Sequence, residues 1–135
     1  MTRISEKIDE IKDYLDELED IIPDKFKDYN SNKLVKAACE RYFERIIEGV
    51  IDISFMIIAE KRFEIPEDDI DSFRILQDHK IIGKKLCKKL KEAKGMRNFI
   101  AHQYGRIDDK LVFKSIRKEL VKDVGWFIRV VKKRL

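Results

Sequence analysis

The polar side chains best placed for chemistry lie together near residue 100. They are Arg97, Asn98, His102 and Tyr104, within the segment 95–104 (GMRNFIAHQY). Asn98 and His102 are four residues apart, so on a helix they share a face. Arg97 is rotated by about 100° from Asn98, but its long side chain can swing toward the same solvent-facing region. The spacing therefore predicts that an imidazole, an amide and a guanidinium meet near the end of a helix.

These residue types match the needs of RNA cleavage by the 2′-hydroxyl of the substrate. That reaction requires a base for the hydroxyl, an acid for the departing 5′-oxygen and positive charge on the phosphorane. His102 can titrate near neutral pH, and Arg97 offers a permanent charge with a planar fork that fits phosphate oxygens. Asn98 can orient His102 or donate a hydrogen bond to the phosphate. One histidine cannot easily serve as base and acid at once, so two facing chains would be needed.

The residues alone also allow a simpler interpretation. The chain contains ten arginines, so an arginine and a histidine five residues apart occur easily by chance. A surface arginine and a histidine at a helix end explain the pair without any activity, and the residues by themselves favour that explanation. Asp52, inside the apolar stretch 50–55, is as easily a polar edge position as a carboxylate that positions Arg97 or His102.

The remaining candidates for acid–base or metal chemistry are few. The second histidine, His79, lies between two predicted helices and is predicted to be a loop residue with no special role. Cys39 and Cys87 form no CxxC pattern and lie near neither histidine, so they are predicted to fill the core rather than bind zinc. Trp126 is predicted to pack rather than to stack on a base. No metal site or cofactor is therefore predicted.

Apolar spacing assigns these residues to helices. Long helices are predicted at about 3–22, 33–60, 81–103 and 110–133, and a short one at about 72–78. Leu34 and Leu111 are counted among the core-facing residues of their helices. The segment 24–32 is predicted to be a loop ending in an N-cap at Ser31 or Asn32, and Asp71 or Ser72 is predicted to cap the short helix. Four long helices and one short helix predict an all-α, up-and-down bundle.

Length and composition agree with one helical domain. The 135 residues predict a single domain over 1–135, and seven glycines and prolines are too few for a sandwich or barrel with its many hairpins. The longest charge-free apolar run in the middle of the chain has seven residues, far short of a bilayer span, and the N-terminus has no apolar stretch that could serve as a secretory signal. The chain is predicted to be soluble and cytoplasmic, with no membrane partner.

The net charge of +4 hides a strong asymmetry. Residues 1–28 carry five basic and ten acidic side chains, whereas 80–97 carries eight basic side chains and one acidic one. A basic C-terminal part is the pattern expected of a protein that binds a polyanion, although lysine-rich helix faces are more often simply solvated. The charge therefore allows a nucleic acid as partner.

The sequence Arg-Asn-x-x-x-His-x-Tyr at the end of the penultimate long helix resembles the signature of HEPN-domain ribonucleases. More narrowly, the chain resembles the HepT toxins of HepT–MntA toxin–antitoxin pairs. The resemblance covers nearly the whole chain and includes the acidic first helix, the segments EGVIDISFMIIAE and FRILQDHKII, and the motif itself. At the four motif positions the chain shows no departure from the pattern.

This resemblance implies a HEPN-like helical homodimer that cleaves RNA without a metal, with Arg and His of both chains meeting at the interface. Arg97, Asn98 and His102 match the catalytic motif. Tyr104 matches the tyrosine to which the nucleotidyltransferase antitoxin, MntA, transfers AMP. Some HEPN enzymes also use acids of the long second helix, and Glu48 or Asp52 would correspond.

Two other functions remain open at this point. One is a non-catalytic HEPN module that binds a nucleotidyltransferase and holds its substrate. The other is a helical dimer that binds nucleic acid through its basic helices without cutting it. The presence of Arg97, Asn98, His102 and Tyr104 together favours the endoribonuclease toxin, because a binding module has no reason to keep all four.

Overall fold

The computed structural model describes residues 2–102 and 108–134, and throughout these residues the regular structure is helical. The helices are α1 (Arg3–Ile21), α2 (Phe26–Ser31), α3 (Lys33–Glu60), α4 (Asp69–Asp78), α5 (Lys84–His102), α6 (Asp109–Lys114) and α7 (Val121–Arg134). A π-helical segment, Ser115–Leu120, joins α6 to α7, so the three form one continuous helix. The prediction of an all-α bundle is confirmed, with α2 as an additional short helix. No described helix is both long and apolar enough to cross a membrane.

The long helix α3 lies at the centre of the bundle and packs against α1, α4 and α5, while α5 also packs against α7. The predicted bounds, 33–60, are confirmed. Its apolar residues cover more than half of its circumference, which is the pattern expected of a central helix. The side chain of Asn32 caps it by accepting a hydrogen bond from the Val35 N–H at 3.1 Å. Cys39, Phe43 and Ile46 are among its fully buried residues. Cys39 and Cys87 both lie in the core, as predicted.

The predicted loop at 24–32 is wrong in part, because residues 26–31 form the helix α2. Phe26 and Tyr29 lie one turn apart and both contact Phe113 of α6, with ring centroids 5.9 and 4.9 Å from that ring. Six residues do not hold a helix by intrinsic propensity. The packing of two aromatic rings against a distant helix stabilises it, and local sequence does not reveal that contact.

The predicted start of the short helix is also wrong. Helix α4 begins at Asp69, and its N-cap is Asp68, whose carboxylate accepts a hydrogen bond from the Asp71 N–H at 2.7 Å. Asp71 in turn accepts a hydrogen bond from the Glu67 N–H, so the two acids cap the same turn reciprocally. Several neighbouring acids could each cap this helix, and the sequence alone does not show which of them does.

Two residues predicted to face the core are exposed. Leu34 is 84% exposed and Leu111 is 51% exposed. Leu34 lies in the first turn of α3, where Val35 rather than Leu34 packs against the core. Leu111 lies in α6, where the neighbouring Val112 takes the buried position. Trp126 packs against the core, as predicted.

Candidate functional site

Arg97 is held between two helices. It lies in α5, and its Nη2 donates a hydrogen bond to Oε1 of Glu48 on α3 at 2.7 Å. The Arg97 side chain is 20% exposed and that of Glu48 is 39% exposed, so the ion pair lies at the edge of the bundle. A pair formed across 49 residues of chain fixes the direction of the guanidinium relative to the α5 surface.

Asn98 contacts the other arm of the same guanidinium. Nη1 of Arg97 donates a hydrogen bond to Oδ1 of Asn98 at 3.4 Å. The Arg97 Nε atom is buried and has no hydrogen-bond partner among the described residues. The guanidinium therefore bends toward Asn98, as predicted from the length of the Arg97 side chain.

His102 is the last residue of α5 and is exposed. It lies one turn beyond Asn98 on the same face of the helix, in the arrangement that the sequence predicted. Tyr104, predicted to be the acceptor of AMP, lies outside the described residues. The structure thus brings Arg97 and Asn98 into contact and places His102 on the same helix face, at a solvent-exposed helix end.

The structure distinguishes the two candidate acids on α3. Glu48 contacts Arg97, whereas Asp52, one turn further along, forms an ion pair with Lys7 of α1 at 3.3 Å. The Asp52 side chain is 52% exposed, so it takes the polar edge position that the sequence allowed. Of the two acids, Glu48 is the one that can position Arg97.

Gly49 permits the close approach of α1 to α3 next to Glu48. A Cβ atom at position 49 would lie 2.7 Å from Cγ1 and 2.8 Å from Cδ1 of Ile11, closer than real carbon contacts allow. Ile11 is 1% exposed, so it has little room to move. The glycine therefore sets the distance between α1 and the helix that carries Glu48.

The sequence interpretation missed Lys94. This lysine is 8% exposed and pairs with Asp69 of α4, with Nζ 3.1 Å from Oδ2. It ties the start of α4 to α5 one turn before Arg97 and Asn98. Its spacing could have revealed it, because it follows Leu90 by four residues and Cys87 by seven, on the buried face of α5.

His79 has a structural role that the sequence interpretation did not foresee. It ends α4, its ring stacks on Phe63 at a centroid distance of 3.6 Å, and its Nε2 lies 2.7 Å from Oε1 of Glu64. A hydrogen bond from the Glu64 backbone N–H, together with this contact with His79, keeps the pKa of the Glu64 carboxyl below its usual range. His79 thus fixes the α3–α4 connection to the end of α4.

A cavity of about 230 Å³ lies between α5 and the continuous C-terminal helix. Asp123 lines it and is 7% exposed, with no hydrogen bond or ion pair to the described residues. Burial raises the pKa of the Asp123 carboxyl, Lys89 opposes the rise, and Glu119 adds to it. No described cluster of histidine, cysteine and acidic side chains is arranged to hold a metal ion.

We expect Asp123→Asn to stabilise the protein at neutral pH, because it removes a desolvated charge and keeps the shape of the side chain. Since the folded-state pKa of Asp123 is raised, the wild-type chain gains stability as the pH falls through that pKa. The advantage of the variant in melting temperature should therefore shrink between neutral and acidic pH. Asp13→Asn, on the exposed face of α1, controls for the loss of one surface charge. An equal advantage at every pH would contradict the prediction.

Comparisons with known proteins agree with this fold. The model of the family described as ribonuclease HepT-like matches residues 11–131. The mRNA nuclease HepT of Shewanella oneidensis is 32% identical over 89 residues, which are 66% of this chain and 66% of that protein. The tRNA nuclease HepT of Aphanizomenon flos-aquae is 27% identical over 113 residues, covering 84% of this chain and 77% of that protein. The chain spans 54% to 77% of the length of the curated relatives it matches.

A solved structure shows the same fold over nearly the whole chain. It is the tri-AMPylated HEPN toxin of Shewanella oneidensis in complex with an MNT antitoxin, at a TM-score of 0.92 and 25% identity. The match covers 98% of this chain and 99% of that one. The family model covers well over half of the sequence, and the chain therefore belongs to the ribonuclease HepT-like family of HEPN toxins.

Proposed function

We propose that this protein is the toxin of a toxin–antitoxin pair and acts as a metal-independent endoribonuclease. The observation that carries the proposal is the arrangement of Arg97, whose two terminal nitrogens contact Glu48 and Asn98 one turn before an exposed His102. The nuclease names of the relatives support the same class of activity.

The proposed reaction is attack of a ribose 2′-oxygen on the adjacent phosphorus. The imidazole of one His102 takes the 2′-hydroxyl proton as the bond between the 2′-oxygen and phosphorus forms. The bond from phosphorus to the 5′-oxygen breaks, and that oxygen receives a proton from an imidazolium. The products are a 2′,3′-cyclic phosphate and a free 5′-hydroxyl, so no water molecule is consumed in the step. Arg97 stabilises the charge that develops on the phosphorane.

This assignment requires two copies of the chain. Each chain supplies one His102, whereas the step needs a base on one side of the phosphorus and an acid on the other. A homodimer in which the exposed ends of two α5 helices approach one another would provide both imidazoles and two guanidiniums. We therefore propose a composite site at a homodimer interface, in which Asn98 orients the histidine or donates to the phosphate.

Control by AMP transfer is the second part of the proposal. The related Shewanella toxin is tri-AMPylated and in complex with an MNT antitoxin. Tyr104 follows His102 by two residues, so AMP on its hydroxyl would place a phosphodiester close to Arg97 and His102. We propose that a nucleotidyltransferase antitoxin of the MntA type silences the toxin by modifying Tyr104.

The second candidate function is a non-catalytic HEPN module that binds a nucleotidyltransferase and its substrate. The antitoxin bound to the related toxin favours a partner of this class under either function. The half-buried and paired state of Arg97 favours catalysis, because a docking surface gains nothing from a guanidinium held this way.

We expect the purified protein to degrade single-stranded RNA in the presence of EDTA and to leave 2′,3′-cyclic phosphate ends. The described residues offer no metal cluster, and the side chains of the site suffice for acid–base catalysis. Mass spectrometry of the products reads the ends, and sedimentation in the same buffer should show a dimer. Cleavage that stops in chelator and returns with a divalent metal would contradict the mechanism, and an active monomer would contradict the composite site.

A further inference from the structure

One face of α5 carries a row of lysines that leads to the candidate site. Lys84, Lys88 and Lys91 are followed on the same face by Gly95, Asn98 and His102. The steps of four and three residues keep all six positions within about 40° of one line along the helix. The three lysines, Gly95 and His102 are exposed, and Asn98 is half-buried. We call Lys84, Lys88 and Lys91 the α5 lysine row.

The charges of this row are only partly offset within the bundle, where Lys91 interacts at long range with the Asp71 carboxyl and helps to lower its pKa. Among residues 2–102 and 108–134, none of the three lysines forms a hydrogen bond or an ion pair with a side chain. Like charges three and four residues apart on a helix repel one another. A groove of about 540 Å³ runs beside the row, with Gln77 of α4 on its other side. A polyanion bound along the α5 lysine row would relieve this repulsion.

Gly95 leaves the middle of this face bare. A Cβ atom added there would meet nothing within 4 Å, so packing does not require the glycine. A glycine inside a helix is destabilising relative to alanine. It also lets a ligand approach the helix backbone closely, between the last lysine of the row and Asn98.

We infer that the α5 lysine row binds the phosphates of single-stranded RNA and directs the strand across Gly95 to Asn98 and His102. From Lys84 to Asn98 the axis rises about 21 Å, a length that about six stacked nucleotides span at 3.4 Å each. A single line of cations on a convex helix matches one backbone rather than the two of a duplex. Phe99, 37% exposed beside Asn98, offers a ring on which a base can stack. The inference rests on the proposed function, because the α5 lysine row would form the path by which RNA reaches the proposed site.

The test compares two triple variants with the same change in charge. The row variant replaces Lys84, Lys88 and Lys91 by glutamine. The control variant makes the same change at three exposed lysines of the C-terminal helix, Lys118, Lys122 and Lys133. For a strand of about 12 nucleotides, KM of the row variant should rise at least tenfold. The preference of the enzyme for this strand over a trinucleotide should fall by the same factor. The slope of log affinity against log salt should become shallower by about 2, since each lost phosphate contact removes about 0.7.

Gly95 gives a second, independent test. Gly95→Glu places a carboxylate in the track, and Gly95→Gln is its neutral control of nearly the same shape. Both variants should fold with a melting temperature at least that of the wild type. Gly95→Glu should weaken binding of the long strand severalfold more than Gly95→Gln does. Equal effects of the two variants would overturn the inference.

Binding is also measured without cleavage, by fluorescence anisotropy with a 2′-O-methyl RNA that lacks the attacking hydroxyl. A wild-type chain that binds this RNA through the row and cleaves no RNA would refute the proposed function and keep the inference. A row variant that binds RNA as tightly as the control refutes the inference and leaves the proposed function standing. If that variant loses the antitoxin instead, the row is a protein-docking surface and the inference is wrong.

Discussion

Replacing Arg97 or His102 by alanine is expected to reduce RNA cleavage by at least about 10²-fold each. His102→Ala removes the group that moves the proton, and Arg97→Ala removes the charge next to the phosphorane. Arg97→Lys should also be severely impaired, because a single ammonium cannot reach both Glu48 and Asn98 as the guanidinium does, at 2.7 and 3.4 Å. Single-turnover cleavage of a labelled RNA measures all three variants.

The bundle should survive these changes. Glu48 is 39% exposed, so it stays hydrated when Arg97 is removed. Arg41→Ala is the matched control, since Arg41 also forms an ion pair, with Glu44 of α3 at 3.2 Å. This variant should cleave RNA as the wild type does. Circular dichroism and thermal unfolding verify the fold of each variant. Normal cleavage by Arg97→Ala or His102→Ala would return that residue to an ordinary surface position.

Two substitutions of Glu48 distinguish a role in positioning Arg97 from a role in proton transfer. Glu48→Gln keeps an oxygen that can accept from Arg97 Nη2, whereas Glu48→Ala leaves the guanidinium unheld on that side. If Glu48 acts by positioning Arg97, the alanine variant should lose much more activity than the glutamine variant, mainly in kcat. If Glu48 itself moves a proton, both variants should lose activity equally and the pH profile should change in both.

Sequence reasoning found the helices and the motif because both depend on local patterns. The bounds of α3 follow from its apolar residues and from Asn32, a good N-cap immediately before the helix. The shared face of Asn98 and His102 follows from their spacing alone. Helix α2 could not be found this way, because its stability comes from the contact of Phe26 and Tyr29 with a ring more than eighty residues away.

The choice between Glu48 and Asp52 shows the same limit at the site. Both acids lie on one face of α3 at a spacing of four residues, so periodicity treats them alike. Lys7 of α1 pairs with Asp52, and α1 lies close enough only because position 49 is a glycine. Glu48 therefore pairs with Arg97 because of contacts among three helices, and no local pattern in the sequence encodes those contacts.

The π-helical segment, Ser115–Leu120, had no local signal either. Its residues have ordinary helical propensities, and a regular helix was predicted across it. It coincides with the cavity that Asp123 lines, because Ser115, Glu119 and Leu120 face that cavity. The extra residue in the turn shifts the faces of α6 and α7 relative to one another.

The largest regulatory effect is expected from Tyr104→Phe, which we expect to cleave RNA normally and to escape silencing completely. The substitution keeps the ring and removes the hydroxyl that would accept AMP. In the wild type, the phosphodiester of a transferred AMP would compete with RNA for the guanidinium of Arg97, as a phosphate does beside an arginine. The nucleotide would also fill the space that the ribose of the substrate must enter next to His102. Inhibition should therefore need no unfolding.

The experiment incubates each variant with a nucleotidyltransferase antitoxin and ATP, then measures cleavage and intact mass. Wild-type protein should gain AMP and lose cleavage, and Tyr104→Phe should do neither. Tyr14→Phe is the matched control, because the Tyr14 hydroxyl lies on α1 and donates to Glu10 there; this variant should be modified and silenced like the wild type. Thermal unfolding of the modified protein should show an intact bundle, since inhibition by occupancy leaves the core unchanged. Silencing of Tyr104→Phe through AMP on another residue would place the switch elsewhere on the chain, and silencing without any gain in mass would show that binding of the partner suffices.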